Sequence, residues 1–236
     1  MEVNANRNIL YPKAQRYFAL AAVITWIGFS KSYFGRFFQT DIYHHIHGTA
    51  AGLWILTLIV QPVLYQKNQL RLHRRLGRWA AFLVAPLFIL AGIKMMQAMV
   101  QNPAAYPPGE VYRLACIDLC SLVLFSLFLI LGIRYGKNVQ LHARFIAGTV
   151  LIIIPPAIAR ALFLIPWFDS FDKTLHASFI LTELAVLLLI LDDHRKGKLR
   201  SPYLLLFLLL AGLTISLNFI GGSQWWHQAM DRFALF

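Results

Sequence analysis

The sequence predicts an all-α protein, a single bundle of seven transmembrane helices spanning residues 1–236. Three observations carry this. The chain is 58% apolar and only 14% charged, well below the usual quarter for soluble domains. Its apolar runs repeat at about the 20-residue length that crosses a bilayer as a helix. The runs are continuous, whereas strands of a membrane barrel alternate apolar and polar residues.

The runs cover residues 17–36, 46–65, 79–99, 111–133, 144–165, 174–191 and 203–220. The first begins late and lacks a small-residue cleavage site, so it reads as a retained helix rather than a signal peptide. The second opens on DIYHHIHG, with His44, His45 and His47 at its mouth. A basic segment, QKNQLRLHRRLG, leads into the third, and QNPAAYPPGE supplies turn residues before the fourth. The fourth carries CIDLC, whose Cys116 and Cys120 read as small apolar packing residues. The fifth contains LIIIPPAIAR. Pro155 and Pro156 cannot donate hydrogen bonds, so that helix bends mid-span, and freed carbonyls must line a cavity or find protein partners. DDHRKGKLRSP separates the sixth from the seventh, and the tail carries Trp225 and Trp226, expected in the interfacial aromatic belt.

The net charge of +12 does not point to nucleic acid, because it is distributed by topology. With the N-terminus cytoplasmic, fifteen of the 22 Lys and Arg fall in inner segments and five in outer ones. The inner set comprises Arg7, Lys13, Arg16, Lys67, Arg71, Arg74, Arg75, Arg78, Arg134, Lys137, Arg144, Arg195, Lys196, Lys198 and Arg200. The positive-inside rule then places the C-terminus outside. Basic loops of this kind meet anionic headgroups, so membrane lipids are the expected partners and the cytoplasmic (inner) membrane the expected location.

Depth sorts the embedded polar residues. With a rise of 1.5 Å per residue, Lys94 and Arg160 lie about 8 Å, and Asp118 and Glu183 about 10 Å, below the outer ends of their helices. His44, His47 and His176 sit at outer helix starts. The inner half is expected to be almost entirely apolar. Ionisable residues at membrane depth cost at least ~2.5–3.5 kcal/mol on insertion scales and usually mark a functional site. By depth, Asp118 pairs with Arg160 and Glu183 with Lys94.

His44 and His47, three apart, share a helix face. With His176 at matching depth they form a candidate three-ligand metal site, since imidazole suits Zn, Cu and Fe and catalytic zinc takes three protein ligands plus water. Asp118 and Glu183 then serve as proton-transfer or ligand-orienting groups, while Lys94 and Arg160 bind an anionic group or tune the carboxylates. This reading is an integral membrane metalloprotein, an enzyme acting at the outer face on a small or lipidic substrate. A second reading is a haem-binding redox protein using the same histidines. A third is a metal-free small-molecule transporter or receptor. His73 and His142, at the inner starts of the third and fifth runs, read as headgroup-boundary residues that seal helix ends by hydrogen bonds.

HHIHG, LHRRLGR, QLHARF and PPAIAR together resemble a broad group of uncharacterised bacterial multi-pass membrane proteins over about residues 17–165; the resemblance implies a helical membrane fold and no particular activity. LHRRLGR is also similar, more weakly, to histidine segments of cytochrome-b-type and ferric-reductase-type membrane proteins. That likeness implies paired-histidine haem ligation, here between His44 or His47 and His176.

Overall fold

A computed structural model describes residues 11–197 and 199–236. Arg7 and Lys198, two of the inner-segment charges, lie outside the described residues. All regular elements among the described residues are helical: α1 (Ala14–Phe29), α2 (Ile42–Gln66), α3 (Leu70–Gln101), α4 (Val111–Arg134), α5 (Val139–Leu162), α6 (Phe171–Arg195), α7 (Ser201–Ile220) and α8 (Gln224–Phe233). Six of them, α2 to α7, are long and apolar enough to cross a membrane.

The first expected span, 17–36, is shorter than its apolar run. The 16 residues of α1 rise about 24 Å, less than the ~30 Å hydrocarbon core. Polar chemistry stops it: the Ser30 hydroxyl donates to the Ile27 carbonyl at 2.6 Å, and a 3₁₀ turn, Phe34–Gln39, follows. The helix packs between α2 and the far half of α5. Gly28 makes that approach possible, because a Cβ there would lie 2.2 Å from the Ala157 carbonyl oxygen. The tail, in turn, forms α8 rather than a free segment.

Short connections make successive helices antiparallel. The end carrying Asp41 and His44 is called upper, and the end carrying Asn138 lower. Two apolar clusters fill the bundle. The larger surrounds Trp54, Phe125, Phe128, Phe145 and Leu206, and within it the Trp54 indole donates to Thr149 Oγ1 at 3.0 Å. The smaller lies at the upper end around Met96, Met99, Cys116, Phe179 and Leu217, closed by Trp226 and Met230 of α8. Trp225 is exposed as a belt residue should be, but Trp226 is buried and donates to the Tyr112 carbonyl at 2.7 Å. A buried indole needs such an acceptor.

The lower half is not uniformly apolar. Arg144 Nε donates to Asp193 Oδ2 at 2.8 Å and Nη2 to Oδ1 at 2.5 Å, with both side chains under 5% exposed. Tyr11 donates to the same carboxylate at 3.0 Å, and the guanidinium lies over the Tyr11 and Tyr203 rings. Arg144 and Asp193 read as loop charges by position; burial and mutual neutralisation turn them into a tie between α5 and α6.

Candidate functional site

The histidine-rich start of α2 is organised by a cap. The Asp41 carboxylate accepts the backbone N–H of Tyr43 at 2.9 Å and of His44 at 3.1 Å, and it also pairs with the His44 ring. Burial pushes the Asp41 carboxyl up, but these hydrogen bonds and the His44 charge outweigh it and hold it below its ordinary value. His45 turns away, its Nδ1 2.8 Å from the Tyr33 hydroxyl. His47 points into the bundle. Its Nδ1–H donates to the Phe88 carbonyl at 3.0 Å, and the ring stacks on Phe88 with centres 4.2 Å apart. Gly92 makes room for it: a Cβ there would sit 3.1 Å from the imidazole.

His47 opens onto a cavity of about 60 Å³ between α2, α3, α4 and α5, lined also by Asp118, Ser121, Met95, Ile152, Ile153 and Pro156. That is room for a handful of waters or a small polar molecule. The helix break contributes to it. Pro155 and Pro156 deprive the carbonyls of Leu151 and Ile152 of their usual donors four residues on, and the residues at the break face the same space as Asp118.

Asp118 and Arg160 are not in ion-pair contact; among the described residues no salt bridge joins them. Arg160 is exposed, its Nη1 donates to the Pro156 carbonyl at 3.0 Å, and its guanidinium lies 4.7 Å from the centre of the Phe29 ring. It therefore closes off the break from the side of α1. Tyr106, in the loop before α4, is the focus of the surrounding charges. Burial pushes its phenol above its ordinary value, the Asp118 and Asp41 carboxylates push it further, and Arg160 opposes them. Tyr106, Phe88, Gly92 and Ser121 escape sequence reasoning because nothing in their spacing marks them.

The remaining expected site residues lie elsewhere. Glu183 accepts a 2.6 Å hydrogen bond from the Thr214 hydroxyl of α7, a tie between α6 and α7. Lys94 is exposed and makes no ion pair with Glu183. His176 lies 3.2 Å from Arg113 Nη2 and 3.5 Å from the Asp172 carboxylate, while Arg113 also reaches Asp172 at 2.6 Å and Glu110 at 3.3 Å. The expected trio of His44, His47 and His176 is thus divided among three different sets of partners. Among the described residues, no group of three or more His, Cys, Asp or Glu is arranged to hold a metal ion.

On the other side of the α2–α3 seam lies an apolar groove of about 270 Å³, lined by Ile46, Thr49, Leu53, Leu83 and Leu87 with His45 at its upper end. A widened π turn in α3, Ala80–Val84, supplies Leu83. It ends two residues before Pro86, whose missing N–H makes a regular turn costly there. Comparison by sequence and by structure finds no family model, curated protein or solved structure that matches the chain.

Proposed function

We propose that the protein is a seven-helix inner-membrane protein, N-terminus inside and C-terminus outside, that binds a small polar molecule in the cavity between His47 and Asp118, as a transporter or receptor. The observation that carries this reading is the convergence of an imidazole, a carboxylate and a hydroxyl on one space beside a broken helix. Such discontinuous helices commonly form binding sites at membrane depth. Asp118 and His47 accept and donate protons or hydrogen bonds to the ligand, Tyr106 stands between the cavity's charges and the upper surface, and the Asp41–His44 pair fixes the start of α2.

A second reading, a membrane enzyme for a lipidic substrate, is favoured by the apolar groove beside the cavity, which suits an acyl chain. A metal ion or haem in that enzyme would draw on His47 and Asp118, with His44 and His176 each released from its present carboxylate. The transporter or receptor reading requires no such rearrangement.

The test is a thermal-shift screen of the protein in lipid nanodiscs against small carboxylates, amines, polyols and single-chain lipids. Binding raises the melting temperature by linkage. At least one polar class should stabilise the parent and lose that effect in Asp118→Asn. Equal stabilisation of Asp118→Asn, or none in the parent, overturns the assignment.

A further inference from the structure

The lower end holds a second constellation that the proposed function does not use. His73, on the first turn of α3, and His142, on the first turn of α5, bring their ring centres to 6.5 Å. Each ring is oriented from behind by a backbone carbonyl: His142 Nδ1 lies 2.7 Å from the Gly132 oxygen and His73 Nδ1 3.4 Å from the Gln61 oxygen. A carbonyl only accepts, so both Nδ1 atoms carry the proton. The lone pair of each neutral ring is therefore on Nε2, and neither Nε2 has a hydrogen-bond partner among the described residues. Gln61, behind the His73 ring, carries a further orphan atom. Gln61 Nε2 donates to the His73 carbonyl at 3.1 Å, while Gln61 Oε1 is buried with no partner.

Two neighbouring imidazoles, each anchored through Nδ1–H and each with its Nε2 lone pair free of a protein donor, form a donor set for a cation. We propose that His73 and His142 hold a transition-metal ion between their Nε2 atoms, and that copper is the ion that fits. The carbonyl-anchored Nδ1–H is the arrangement that fixes tautomer and orientation in histidine metal ligands. Distance selects the geometry. An imidazole nitrogen lies about 1.2 Å from its ring centre and binds metal at ~2.0–2.1 Å, so trans ligation sets ring centres about 6.4 Å apart and tetrahedral ligation about 5.2 Å. The observed 6.5 Å matches trans placement, and tetragonal N,O ligation is the preference of Cu²⁺. Arg74 is within electrostatic reach of His73, but it is exposed, where solvent and salt screen it.

The experiment titrates Cu²⁺ into the chelator-washed full-length protein and reads binding and electron paramagnetic resonance. One tightly bound equivalent should give a tetragonal signal with hyperfine coupling to two imidazole nitrogens. His73→Ala and His142→Ala should each weaken that equivalent by at least ~10-fold; replacing His44, His45 and His176 together should leave it in place. Should the alanine variants fail to fold, the spectrum of the parent decides: coupling to fewer than two imidazoles overturns the site. So does a Cu²⁺ equivalent that survives loss of both His73 and His142, or a Soret band showing that the pair ligates haem iron instead.

Discussion

At the scale of single residues, the buried Arg144–Asp193 pair makes the sharpest prediction. Removing one partner of a buried pair costs ~3–5 kcal/mol, whereas replacing both with apolar residues can be neutral. Asp193→Asn should therefore melt far below the parent in detergent, and Arg144→Met with Asp193→Leu should recover much of the loss; equal melting of all three would contradict the tie. Asp41 gives the pH dependence. Its folded carboxyl is held below its ordinary value of 3.8, so its contribution to stability is present above that pH and disappears as pH falls through the lower, folded value. The stability gap between the parent and Asp41→Asn should be constant near neutrality and close below about pH 4. Asp118 and His47, singled out in the sequence because embedded polar groups are expensive wherever they occur, line one cavity. Partner choice was not legible: Asp118–Arg160, Glu183–Lys94 and the histidine trio all share a depth, but helix rotation sends Lys94 outward, Glu183 to Thr214 and His176 to Arg113.

At the scale of elements, hydropathy located every long helix, though it overran α1 most, where apolarity continues past Phe29 but Ser30 takes over a helix carbonyl, ran past the end of α5 at Leu162 and began α3 nine residues late. The docking of α8 was hidden because it rests on a few scattered apolar side chains, Trp226 and Met230, and on hydrogen bonds such as Gln97 to the Phe233 carbonyl at 3.1 Å, in a segment with no apolar run. The seam between α1 and α5 depends on the absence of a side chain at position 28. Gly28→Val should push these helices apart and destabilise by about 1–3 kcal/mol, the range for overpacking, as measured by denaturant unfolding. The proline break in α5 was legible from PPAIAR, and its role can be separated from stability. Restoring two donors with Pro155→Ala and Pro156→Ala should re-form backbone hydrogen bonds and keep or raise the melting temperature while weakening ligand stabilisation at the cavity. Unchanged ligand stabilisation would remove the break from the site.

For the whole molecule, the proposed orientation rests on the asymmetric loop charge. A reporter active only in the cytoplasm should function when fused after Ser201 and be silent when fused at the C-terminus; an active C-terminal fusion would turn the cavity toward the cytoplasm. The polar cavity and the lower imidazole pair then face opposite compartments, joined by the apolar core around Trp54 and Phe125. That His47 and Asp118 form one binding unit is tested most directly by a double-mutant cycle on affinity for the ligand identified in the nanodisc screen, measured by calorimetry for the parent, His47→Ala, Asp118→Asn and the double variant. Effects at distant, independent sites add, whereas residues sharing a partner show coupling of ~0.5–3 kcal/mol. Each single change should weaken binding at least ~10-fold, and the double change should weaken it by clearly less than the product of the two. Losses that multiply, or a single variant that binds like the parent, would contradict a shared site.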